Sequence, residues 1–174
     1  DIGGTRNLRS RGPTGPTRDS VIAGLRWLAR HQHADGRWST EHFPDNCGGS
    51  PKCLGPGSRN HDVGLTGLSL LAFLGAGYVP TTKDVFEDPF KKGRMIRFAD
   101  TVRNGLKFLK EHQDSDGCFP KQDGEFMYDH AISSLAMAEA AWLCVGPLYK
   151  DSAQKGIDFL VKAQNPGFAW RYGV

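Results

Sequence analysis

Long apolar runs are the first thing this sequence lacks. The longest, Val63 to Tyr78, is 16 residues and is broken repeatedly by glycine, short of the roughly 18–20 apolar residues that cross a bilayer. No membrane span is expected. Charge of one sign is scarce as well. Lys and Arg together number 22 against 19 Asp and Glu, a net of +3. Residues 1–20 hold Arg6, Arg9, Arg11 and Arg18 against Asp1 and Asp19, so +2 of that net lies there. The rest is almost neutral and has no basic stripe, which removes nucleic acid from the expected partners. A secretory signal is not visible either, and the compartment stays open. Both ends read as cut, the chain opening on Asp1 and stopping abruptly on Val174.

A length of 174 residues suits one domain. Residues 1–19 are basic, rich in glycine and proline and without apolar periodicity, and read as a flexible leader. Residues 20–174 read as the folded unit. Glycine is what this chain has in excess, 22 in all, and its placement is periodic. Three segments align without gaps: VIAGLRWLARHQHADGRW from Val21, VRNGLKFLKEHQDSDGCF from Val102, and AQKGIDFLVKAQNPGFAW from Ala153. They share a glycine (Gly24, Gly105, Gly156), an aromatic followed by leucine, and a glutamine (Gln32, Gln113, Gln164). An aromatic follows six residues after each glutamine (Trp38, Phe119, Trp170). The chain is a repeat protein.

Within each copy the pattern predicts an amphipathic helix that ends in a tight turn. Val21, Leu25 and Leu28, like Val102, Leu106 and Leu109, fall at i, i+4, i+7 and make one apolar stripe. Asp-Gly in two copies and Asn-Pro-Gly in the third then turn the chain. Between the copies lie helices of another kind. Asp62–Tyr78 and Tyr128–Cys144 are nearly free of charge, so they are expected to be enclosed by protein on every side. Alternating helices of these two kinds imply two layers, an outer and an inner. Helices are expected over 20–33, 62–77, 98–113, 129–144 and 152–164.

The repeated string resembles the QW motif of squalene–hopene and oxidosqualene cyclases. Lys155-Gly156, Phe159-Leu160, Gln164 and Trp170 match most of it, and Ala23-Gly24, Trp27-Leu28, Gln32, Gly36 and Trp38 match all but its basic start. The second copy departs by ending in Phe119. The resemblance covers residues 20–172 and implies an all-α fold, the α/α toroid shared with protein prenyltransferase β-subunits and complement-type thioester domains. It also implies that Gln32, Trp38, Gln113, Phe119, Gln164 and Trp170 are structural ties between neighbouring helices. The toroids of those families close with about six hairpins, and this chain supplies two and a half. It therefore reads as an incomplete ring, completed by a second copy or by a missing half of the same chain. The acidic DxDD string of protonating cyclases and the Cys-Gly-Glu-Gln string of thioester proteins are both absent from the sequence. The expected role is binding or assembly by a toroid module without its own catalytic motif; the alternative is part of an enzyme acting on an isoprenoid or other hydrophobic ligand in the ring's cavity.

Two groups of residues carry the candidate chemistry. The segment Glu41–Asp62 holds His42, Asp45, Cys47, Cys53 and His61 in a loop rich in glycine and proline. These are zinc-ligand residue types, and Asp45-Asn46-Cys47 resembles the Asp-x-Cys of the prenyltransferase zinc site. A Cys47–Cys53 disulfide and free thiols are the other two readings. The second group is Asp62, Asp129, His130 and Glu139 on the inner helices. Asp62 and Asp129 read as helix caps, with His130 beside Asp129 as an acid–base candidate. Glu139, a lone charge in an apolar helix, must find a partner, reach the rim or be protonated.

Overall fold

The computed structural model describes residues 15–119, 125–167 and 169–171. Among these the chain is mostly helical. Five α-helices form, α1 Pro16–His31, α2 Asp62–Gly75, α3 Phe98–Glu111, α4 Phe126–Leu143 and α5 Lys150–Lys162, with one two-stranded sheet. All five fall on the segments the periodicity selects. Their boundaries move by up to four residues, and α1 opens at Pro16, inside the stretch read as leader. Proline is favoured at a first helical turn because its missing N–H has no intrahelical partner there anyway. Residues 1–14 lie outside the described residues.

Periodicity decides which side of each helix is buried. In α3, Val102, Leu106 and Leu109 are fully buried while Lys107 and Lys110 are exposed. The inner pair, α2 and α4, lie against each other. A Cβ at Gly67 would come within 3.0 Å of the Ser133 backbone, so the two backbones meet with no side chain between them. Ser133 Oγ closes the contact by donating to Val63 O at 3.1 Å.

One expectation fails here. The inner helices are not enclosed on every side, because Leu68 and Leu135, aligned positions of α2 and α4, are 56% and 54% exposed. On α4 the open stripe runs Tyr128, Ala131, Leu135, Glu139, Trp142, one helical face at i, i+3, i+7, i+11, i+14. Packing against the outer helices and against each other uses the remaining surface of the pair and leaves this side uncovered.

The sheet was not foreseen. β1 (Val85–Glu87) pairs antiparallel with β2 (Met95–Arg97), Phe86 opposite Ile96. Those two side chains alone turn inward, and Phe86 packs on Phe98 with ring centroids 5.1 Å apart. Strands of three residues with one buried side chain each are too short to show alternation in sequence.

The repeat is geometric as well as textual. After α1, Gln32 Nε2 donates to Gly36 O and to Thr101 O, both at 2.9 Å. After α3, Gln113 Nε2 donates to Gly117 O at 3.0 Å and Ser152 O at 2.9 Å. Thr101 and Ser152 each stand four residues before the repeat glycine of the next outer helix, so both glutamines reach the same place one copy onward. The turns between them match. His33 N bonds Arg37 O, Asp114 N bonds Cys118 O and Asn165 N bonds Ala169 O, at 2.9, 2.8 and 2.8 Å. Gly36 and Gly117 hold φ of +99° and +90°, and a Cβ on either would collide with backbone of the following outer helix, Asn104 O or Lys155 O. Trp38 and Phe119 then fill the space beside Gly105 and Gly156. Trp38 Nε1 donates to Leu28 O and Trp170 Nε1 to Leu160 O, each at 2.8 Å.

Candidate functional site

The loop between Trp38 and α2 carries most of the polar chemistry, and it is anchored at the N-terminal ends of both inner helices. Thr40 N donates to Asp62 Oδ1 at 2.8 Å, and Arg37 Nε lies 3.1 Å from Asp62 Oδ2. His61 Nδ1 meets Asp129 Oδ2 at 3.0 Å, and Arg59 Nη1 meets Glu125 Oε2 at 2.9 Å. Neither aspartate is a helix cap, contrary to expectation. His61 is the N-cap residue of α2, and Asp129 is already in the fourth position of α4, which starts at Phe126. Both carboxylates are used instead to fasten the loop, because cationic and N–H partners from it reach them.

His130 is not an accessible acid or base. It is fully buried, receiving the Phe119 N–H on Nδ1 and facing Gly156 O with Nε2, both at 3.1 Å. These two partners assign the proton to Nε2, since a backbone N–H must meet an unprotonated nitrogen and a carbonyl a protonated one. Desolvation outweighs both the Gly156 carbonyl and the Asp114 charge and lowers its pKa to about 4. The imidazole thus joins turn, inner helix and outer helix as a neutral strut. Glu139 lies exposed on the open stripe of α4, where solvent reaches it.

Beside that stripe a cavity of about 790 Å³ opens, lined by Met127, Tyr128, Ala131, Leu160, Trp170 and Arg171. Its walls are aromatic and aliphatic with one guanidinium, a composition suited to an apolar body carrying an anionic or polar tip.

Of the five metal-ligand candidates, the fold brings two together. Cys47 Sγ and Cys53 Sγ stand 3.3 Å apart. His42 Nδ1 instead faces Asp45 Oδ2 at 3.6 Å, with both side chains well exposed, and His61 is held by Asp129. The third member of the cysteine group is His31, whose Nε2 is 3.5 Å from Cys53 Sγ. Sequence reasoning missed it because His31 lies in the outer helix and not in the loop. One signal was present: a histidine precedes the repeat glutamine twice, at His31 and His112. The Cys47 thiol is pulled down to about 6, chiefly by the Cys53 backbone N–H, then by that of Gly49 and by His31. Cys118 is fully buried and donates its S–H to Phe119 O at 3.0 Å. Burial pushes the Cys144 thiol up.

No family profile matches the chain, and comparison with curated proteins and with solved structures finds no match either. Among the described residues no helix is long and apolar enough to cross a membrane.

Proposed function

We propose that this chain is a prenyltransferase/squalene-cyclase-type repeat module, an incomplete α/α toroid that serves in binding or assembly. One observation carries the reading. Each Gln–Gly–aromatic turn docks on the glycine of the following outer helix, twice in the same register. A rule of this kind extends to further helices and is how stacked repeats build a common core. The glycine of α1 supports the same view. Gly105 and Gly156 are covered by Trp38 and Phe119, whereas a Cβ at Gly24 would meet nothing within 4 Å. A hollow of about 380 Å³ lies there, lined by Ser20, Val21, Gly24, Leu25, Trp27, Leu28 and Ala72. It has the right place to receive another turn, supplied by a second copy or by further repeats of the same polypeptide.

Sedimentation at micromolar concentration tests this. The chain is expected to self-associate or to bind a hydrophobic dye, and Gly24→Leu is expected to weaken association by filling the hollow. A monomer that binds no dye, indifferent to Gly24→Leu, overturns the proposal. The second reading, part of an enzyme acting on an isoprenoid or other hydrophobic ligand, draws its support from the cavity beside Tyr128 and Trp170. Asp62, Glu125 and Asp129 are already engaged by residues of the loop and its flank, which favours binding over chemistry.

A further inference from the structure

His31 and His112 occupy the same position of the repeat, and the comparison between them isolates something that the repeat does not explain. Both are held alike. His31 Nδ1 lies 2.7 Å from Trp27 O and the ring stacks on Trp27 with centroids 4.0 Å apart. His112 Nδ1 lies 2.8 Å from Phe108 O and stacks on Phe108 at 3.9 Å. Donation of the Nδ1 proton to a carbonyl leaves Nε2 with a free lone pair, the arrangement by which proteins orient a ligating imidazole. Only at His31 does a loop bring two sulfurs in front of that lone pair.

We propose that His31, Cys47 and Cys53 bind one zinc-class divalent ion through one imidazole nitrogen and two thiolates, leaving a fourth coordination position to solvent or an external ligand. One ligand atom from each residue lies within 4.8 Å of the others. Tetrahedral zinc with Zn–S near 2.3 Å and Zn–N near 2.0–2.1 Å requires about 3.8 Å between sulfurs and about 3.6 Å from sulfur to nitrogen. The observed separations are 3.3 Å and 3.5 Å, so an ion enters with sulfur movements of about half an ångström. His31 is 2% exposed and rigidly placed, while both cysteines are partly open to solvent. The fixed ligand therefore comes from a helix and the adjustable ones from the loop. Binding replaces the two thiol protons, which leave to solvent, so affinity rises with pH until both sulfurs are thiolates.

The loop has reason to need such a clip. Residues 39–61 contain one short 3-10 turn, Phe43–Asn46, and no other regular element. Long stretches without secondary structure in a compact domain are uncommon and are usually functional. Here the stretch supplies Thr40, Arg59 and His61 to Asp62, Glu125 and Asp129, so an ion at its middle stiffens the whole rim of the inner pair. This site is not the Asp-x-Cys arrangement suggested by Asp45-Asn46-Cys47, since Asp45 faces His42. It also does not rest on the toroid reading.

The test is titration of the reduced, metal-free chain with Co²⁺, followed by Zn²⁺ competition. One equivalent is expected to produce thiolate-to-cobalt charge transfer and tetrahedral ligand-field bands, both erased by zinc. Because His31→Ala removes a buried ring and could unfold α1, the decisive variants are Cys47→Ser and Cys53→Ser at their partly exposed positions. With far-UV dichroism unchanged, each should weaken Co²⁺ binding by more than about 100-fold, beyond the 10–100-fold typical of losing an outer partner. His112→Ala should leave binding untouched. The proposal is overturned if reduced protein gives no charge-transfer band, or if Cys53→Ser binds as the parent does. It is equally overturned if a Cys47–Cys53 disulfide, seen as the loss of two hydrogens by mass, forms even with zinc in excess.

Discussion

Replacing Gln113 by alanine removes the tie between the second turn and α5 without touching the apolar core. Three hydrogen bonds disappear: Nε2 to Gly117 O at 3.0 Å, Nε2 to Ser152 O at 2.9 Å, and Ser152 Oγ to Oε1 at 2.6 Å. A neutral hydrogen bond contributes about 1 kcal/mol net, give or take half of that. The expected loss is therefore about 2–4 kcal/mol. The upper half of that range is favoured because Ser152 is only 6% exposed, and its hydroxyl is left without its partner. Urea unfolding followed by dichroism reads the change as a lower midpoint at unchanged slope. Gln154→Ala, which deletes one exposed bond to Asp158 at 2.9 Å, is the control and should stay within about 0.5 kcal/mol. A double cycle with Ser152→Ala should return a coupling between about 0.5 and 1.5 kcal/mol. If Gln113→Ala is no worse than the control, the shared register of the two glutamines is a coincidence of shape and not a source of stability.

Other outcomes follow from particular contacts. His130 is held at about 4 against an unfolded value near 6.5, so its contribution is complete above about pH 6.5 and falls away as the pH drops toward 4. The unfolded chain takes up the proton first, and the loss reaches about 3 kcal/mol. His130→Gln should flatten the fall in urea midpoint over that window, and a variant with the parent's slope would refute the assignment. Gly67→Ala should destabilise by about 1–3 kcal/mol by forcing α2 from α4, whereas Gly24→Ala in an uncovered helix should be neutral or stabilise by up to about 1 kcal/mol; thermal melts that rank them the other way contradict the packing. Trp170→Ala should weaken binding of an apolar fluorescent probe several-fold, and unchanged binding would remove the cavity beside it from consideration.

What could be read from the sequence was whatever repeats. Val102, Leu106 and Leu109 announced the buried side of α3 because helical burial recurs at 3.6 residues, and Asp-Gly announced its end because left-handed backbone favours glycine. The tie made by Gln113 was implied by its recurrence. Its acceptor, Ser152 O, was not, since a backbone carbonyl has no signature. Exposure of Leu68 follows from the small number of outer helices and not from its own segment. An apolar face and an uncovered apolar face are the same letters, and only the placement of neighbours distinguishes them. The aspartates show the limit at the polar rim. Asp62 and Asp129 at helix beginnings invite a capping interpretation, but Thr40, Arg37 and His61 arrive from a loop whose path local propensity does not specify. His31 joined Cys47 and Cys53 across a similar gap, from a helix whose own pattern was fully explained without them.

The repeated docking also gives the molecule a direction. In both copies the turn offers glutamine and aromatic, and the next outer helix offers a bare glycine and a first-turn carbonyl, so the two partners of each interface are unlike and cannot exchange roles. Copying one helix pair in tandem would insert a unit whose receiving side fits the turn before it and whose offering side fits the helix after it, with no new surface to invent. Growth by duplication thus needs no new kind of contact. A substitution that alters the shared interface, such as a larger residue at Gly105 or Gly156, has no such freedom, because it must be answered in the turn that precedes it.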